Sequence, residues 1–111
     1  MSTVTLTDDD NRKEVEIQQG DEIVLRLPEN PTTGYRWHID RANSILVQEG
    51  DSYLPVPPPE PEISFGRGGV REFRFRGTAP GTARLDLKLW QEWEGEGSVT
   101  ERFGVGIRIS G

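Results

Sequence analysis

The chain has no cysteine, and it carries a single histidine, His38. Without thiols there is no disulfide framework, no thiolate zinc site and no cysteine nucleophile. One imidazole rules out a multi-histidine metal centre. No apolar run approaches the ~20 residues that a membrane-crossing helix needs, so no membrane partner is expected. The opening residues, Met1 to Thr7, show neither the basic flank nor the apolar stretch of a secretory leader. A cytoplasmic location is the expectation, with secretion or a periplasmic location equally compatible with a cysteine-free chain. Basic charge is in deficit as well: 13 Lys and Arg against 19 Asp and Glu leave a net charge of −6. A nucleic-acid partner, which requires a basic face, is therefore not expected.

What remains is enough for one core. Leu, Ile, Val and Phe make up 27 of the 111 residues, above the ~20% below which chains usually stay unfolded. One monomeric domain spanning residues 1–111 is the expectation. Alternation with period two dominates, and no stretch has the spacing of a long amphipathic helix. Ile23, Leu25 and Leu27 alternate with Glu22, Val24 and Arg26. Tyr35, Trp37 and Ile39 alternate with Arg36, His38 and Asp40. Ala83, Leu85, Leu87 and Leu89 alternate with Thr82, Arg84, Asp86 and Lys88, and Phe103, Val105, Ile107 and Ile109 do so with Arg102, Gly104, Gly106 and Arg108. Weaker strands are expected at 3–7, 14–18, 45–49 and 70–76, with turns at Asp8–Asn11, Gln19–Asp21, Glu49–Asp51 and Ala79–Gly81. Seven or eight short strands at this spacing predict an all-β fold, an immunoglobulin-like antiparallel β-sandwich.

Three segments do not read as strands, and loops on a rigid sandwich are where function usually resides. In the first, Pro28 to Gly34, Pro31 fixes its own φ and drives Asn30 extended. Thr32 and Thr33 are stiff at χ1, and Gly34 permits a sharp turn before Tyr35. Such a stiff, small-residue projection suits a narrow groove, because little freedom is lost on binding; an ordinary connection between strands is the plainer reading. The second segment, Leu54 to Gly69, is proline-rich and ends in Gly66-Arg67-Gly68-Gly69. No helix follows it, which excludes a phosphate loop and leaves either a linker or a bare strip that a partner approaches closely. The third, Gln91 to Ser98, mixes Glu92, Glu94 and Glu96 with Trp93. Trp37 has core parity, whereas Trp90 falls on the wet face and Trp93 beyond the strand, as interface tryptophans do.

Catalytic signatures are poor. His38 lacks a nucleophile motif beside it, Asp8-Asp9-Asp10 lacks the spacing of a calcium loop, and nothing marks Glu92 and Glu94 as an acid/base pair. No enzyme and no cofactor are expected.

Taken together, Asn30-Pro31-Thr32-Thr33-Gly34-Tyr35, the glycine-rich Gly66–Gly69 and the aromatic turn Gln91-Glu92-Trp93 resemble, in type and order, the three binding loops of the chagasin-type inhibitors of papain-like cysteine peptidases. The third loop departs from that family's Arg-Pro-aromatic pattern, with Gln91 and Glu92 replacing Arg and Pro. The resemblance implies an immunoglobulin-type sandwich that reversibly occludes a papain-like peptidase. The 30–35 loop would enter the active-site cleft, with residues 66–69 and 91–93 beside it. The replaced Arg-Pro pair implies a slacker third loop, and its three glutamates imply a preference for targets with a basic or neutral rim. The competing reading is a carbohydrate-binding or other protein-interaction sandwich that uses Tyr53, Trp90 and Trp93 as stacking platforms.

Overall fold

The computed structural model describes residues 2–30, 33–55 and 69–111. Among them are eight strands: β1 (Thr3–Thr7), β2 (Glu14–Gln18), β3 (Glu22–Glu29), β4 (Arg36–Arg41), β5 (Leu46–Pro55), β6 (Gly69–Gly77), β7 (Gly81–Trp90) and β8 (Glu101–Ser110). Two sheets of four strands, ordered β1-β3-β6-β5 and β2-β8-β7-β4, face each other. The inward stripes meet in one core, in which Ile23, Leu25, Leu85, Val105 and Ile107 are fully buried and Phe75 is the largest such side chain.

The antiparallel expectation fails at two pairs. β1 runs parallel to β3, and β2 runs parallel to β8. The physical cause is the turn between β1 and β2. Thr7 and Asp10 form a capping box around a short 3-10 turn at Asp8–Asp10, where the chain crosses to the other sheet as it reverses; a second reversal, before β3, returns it to the first sheet running in the direction of β1. Each half then lies along an edge, burying Leu6 in one case and Ile17 in the other.

Other differences are local. Val24, expected wet, is 4% exposed because β3 lies inside its sheet, with Thr5 and Arg74 opposite it on the two neighbouring strands. Glu49–Asp51, expected to turn, lies within β5, where the register slips between Gln48 and Gly50; the extra residue is absorbed as a bulge. Pro28 and Glu29, expected in a loop, complete β3. Proline is tolerated there because β1 stops opposite Arg26, so one side of Pro28 has no strand to donate to. At the other side of that connection β4 begins at Arg36, leaving Tyr35 half-buried just outside it.

Candidate functional site

Three connections gather at one end of the sandwich. Glu29 pairs with Gly69 and Arg36 with Trp90. The β3–β4, β5–β6 and β7–β8 connections therefore start and finish together. These hold the three expected segments. Pro31, Thr32, Gly66, Arg67 and Gly68 lie outside the described residues. Gly69 is buried as the first residue of β6.

The base of the first loop is clamped by a group the sequence reading passed over. Glu29 is buried, and its carboxylate accepts from the Trp37 backbone N–H at 2.8 Å. Its other oxygen accepts from Arg71 Nε and Nη2 at 3.0 and 2.8 Å. The Trp37 indole donates across the same gap to Pro28 O at 2.8 Å. The last residues of β3 and the first of β4 are thus tied through one buried ion pair. The signal was in the parity: Glu29 continues the inward stripe of Leu25 and Leu27, and Arg71 shares that of Phe73 and Phe75. Opposite charges on inward positions of neighbouring strands are a pair in waiting.

Above the clamp, Thr33 closes the loop upon itself. Its N–H and hydroxyl both donate to Asn30 O, at 3.1 and 2.7 Å, and its hydroxyl accepts from the Tyr35 N–H at 3.3 Å. Gly34 has φ +80, a region that side chains disfavour. A methyl at Gly34 would come within 2.7 Å of the Trp93 ring. The third loop is therefore packed against the first, and Gln91 Nε2 adds a hydrogen bond to Thr33 O at 3.2 Å.

The expectation of a slack third loop is replaced by a different organisation. Glu92–Ser98 forms consecutive 3-10 turns kinked at Gly95, which has φ 75. The Glu94 and Gly95 N–H groups donate to Gln91 O. Ser98 Oγ accepts from the Gln91 N–H at 2.9 Å and lies 2.7 Å from Gly95 O and 3.0 Å from Gln91 O. Glu96 reaches back to Lys88 at 2.8 Å. That bond holds the Glu96 carboxyl below its ordinary range and raises the Lys88 ammonium above its own. Lys88 also lies 3.8 Å from the centre of the Trp90 ring, which is only half-exposed as a result. Trp93, by contrast, is 69% exposed. The outcome is a rigid rim with one projecting indole, flanked by exposed Glu92 and Glu94.

His38 lies on the outer face against Trp90, with ring centres 5.3 Å apart. No group of three or more His, Cys, Asp or Glu among the described residues is placed to hold a metal ion. The stacking platforms of the carbohydrate reading do not form one surface. Tyr53 and Trp90 belong to different sheets, each with a cation, Arg71 or Lys88, over its ring.

The chain has counterparts among known proteins. The sequence profile of the chagasin family peptidase inhibitor I42 matches residues 16–107. The chain is 28% identical over 96 residues to chagasin from Trypanosoma cruzi, covering 82% of this chain and 84% of chagasin. It is 27% identical over 89 residues to amoebiasin-2 from Entamoeba histolytica, covering 80% and 71%. The crystal structure of a cysteine protease inhibitor from Entamoeba histolytica superposes with a TM-score of 0.87 at 24% identity, over 98% of this chain and 96% of that one, a likeness of fold. The profile match over residues 16–107 and the two-sheet fold together define a β-sandwich peptidase inhibitor. The chain belongs to the chagasin family of peptidase inhibitors.

Proposed function

We propose that this chain is a reversible, occluding inhibitor of papain-like cysteine peptidases. The loop of residues 30–35 enters the active-site cleft, and Trp93 packs against one wall. The glycine-rich residues 66–69 lie along the enzyme on the other side. The observation that carries this reading is the joint between the loops. Trp93 stays 69% exposed while its ring covers Gly34 and Gln91 holds Thr33.

An exposed tryptophan on a fixed support is the usual anchor of a tight interface. Because residues 33–35 and 91–98 are already held by hydrogen bonds to one another, the ~0.5–1.5 kcal/mol otherwise lost for each immobilised side chain is largely spared there. Three neighbouring loops can supply the ~800 Å² per partner of a standard interface. No bond is broken, so the inhibitor leaves intact.

The test is a titration of active-site-counted papain. Activity should fall linearly to zero near one equivalent and return on dilution, with the inhibitor recovered uncut. Full papain activity in large molar excess of the protein would refute the proposal.

A further inference from the structure

The outer face of the β2-β8-β7-β4 sheet carries a hollow of about 540 Å³ that the inhibitory rim does not use. Four guanidinium groups line it: Arg12 ahead of β2, Arg102 on β8, Arg84 on β7 and Arg41 on β4. In a chain of net charge −6 this is a local reversal of sign. Arg84 is held by Asp86 at 3.1 Å, and Arg102 reaches Glu96 and Asp40 at 3.5 and 3.8 Å. Arg12 and Arg41 have no carboxylate partner among the described residues.

The floor of the hollow is shaped for contact. The outward positions of β8 run Arg102, Gly104, Gly106, Arg108, so the middle of the strand is bare. Arg84 and Asp86 lie down over Gly104, where a methyl group would come within 2.5 Å of the guanidinium and 2.6 Å of the carboxylate. Arg12 is the one non-glycine residue of positive φ among those described, at 70, and its N–H donates to Gly104 O at 2.6 Å. An unfavoured backbone held in place by a strand bond is a reason to look for a role.

We infer that this hollow binds an acidic oligosaccharide, one bearing sulfate or carboxylate groups in series. Adjacent strands are ~4.8 Å apart, so from Arg12 to Arg41 the four strands span roughly 14 Å. That is too long for one anion and suits a chain of them. Charge-assisted bonds from guanidinium groups supply the attraction. Asp40 and Asp86 line the same hollow and accept from hydroxyl groups, which sugar rings provide beside their acidic substituents. The lining offers no apolar anchor, since Leu87 and Phe103 turn their side chains into the core, and this disfavours a peptide.

The experiment is calorimetric titration of the full chain with a heparin hexasaccharide, an uncharged dextran oligosaccharide and a poly-glutamate peptide of matched charge. Saturable heparin binding that weakens with salt is expected, with no dextran binding and weaker poly-glutamate binding. Arg12→Gln with Arg41→Gln should lower heparin affinity roughly tenfold or more, the loss expected for a charge-assisted bond, and leave papain inhibition unchanged. Arg26→Gln with Arg74→Gln, which removes equal charge from the opposite sheet, should change it less than twofold. Equal losses from both pairs, or tighter binding of poly-glutamate than of heparin, would overturn the inference.

Discussion

Replacing Glu29 by alanine tests how the inhibitory end is held. The substitution removes a buried carboxylate, strands the Trp37 N–H and leaves the Arg71 guanidinium, whose side chain is 11% exposed, with only a 3.8 Å contact to the half-exposed Asp51 carboxylate. Breaking a buried ion pair from one side typically costs ~3–5 kcal/mol, because the remaining charge stays buried without compensation. A chain of 111 residues has a total stability of about 5–15 kcal/mol and an unfolding entropy near ~0.23 kcal/mol/K at the midpoint. The expected fall in Tm is then on the order of 13–22 °C. Guanidinium denaturation of the wild type, Glu29→Ala, Arg71→Met and the double variant gives the coupling directly. A coupling above ~1 kcal/mol is expected, with the double variant better than the sum of the singles, since it leaves no orphan charge. Peptidase inhibition should weaken in Glu29→Ala even at temperatures where it is fully folded, because only the Trp37 indole bond to Pro28 O then ties β3 to β4 beneath the loop. Additive costs, or unchanged inhibition in a folded Glu29→Ala, would refute the clamp.

Trp37→Ala should cost ~3–5 kcal/mol as a core aromatic and show as loss of the folded baseline in near-ultraviolet dichroism, whereas Trp93→Ala should leave Tm within a few degrees and weaken inhibition about 30-fold or more. Gly34→Ala places a methyl against the Trp93 ring, so it should weaken inhibition more in the wild type than on a Trp93→Ala background, where only the strain of its φ of 80 remains; equal effects in both would exclude action through the ring. Asp21 accepts from the Gln18 and Ser2 N–H groups, which together lower its pKa. A folded pKa below the unfolded value of ~3.9 gives stability that is present above that value and lost as pH falls through the folded one. Asp21→Asn should therefore lower Tm at pH 7 and flatten its decline between about pH 5 and 2, and parallel curves would count against it. With Glu92 and Glu94 exposed beside Trp93, inhibition of a papain-like enzyme with an acidic rim should strengthen as salt rises, and measuring inhibition constants at low and high salt checks the sign.

Alternation made most of the sandwich legible before any coordinates, because a strand with one buried face writes its own period. β1 and β2 fall on the expected spans, 3–7 and 14–18, and the inward stripes of β3, β7 and β8 are those that meet in the core. The parallel pairing of β1 with β3 and of β2 with β8 was not legible. It depends on a turn that redirects the chain between sheets, and alternation is blind to strand direction. Glu29 and Arg71 were legible but easily misread: each occupies an inward position, and only their partnership explains why a charge belongs there. The joint between Gln91 and Thr33 spans 58 residues and has no local signature at all. Trp93 could be placed outside the core from its neighbours, yet its support by Gly34 could not.

Set against the Arg-Pro pair that the family resemblance implies at this turn, Gln91-Glu92 illustrate how one property can be reached by different chemistry. Proline stiffens a loop by removing a torsion in every state of the chain. Here the stiffness comes from bonds that exist only in the folded state: Ser98 bridging the turn, Gln91 reaching Thr33, and Glu96 reaching Lys88. The two routes differ in what they fix. A proline fixes its own residue, whereas Gln91 fixes the third loop relative to the first, and it is that relative position which a cleft wider than one loop must recognise. The Gln91 carboxamide, spanning from one loop to the other, is therefore more than a neutral stand-in for arginine: it makes the loops around residues 33 and 93 one body, with Trp93 projecting from it.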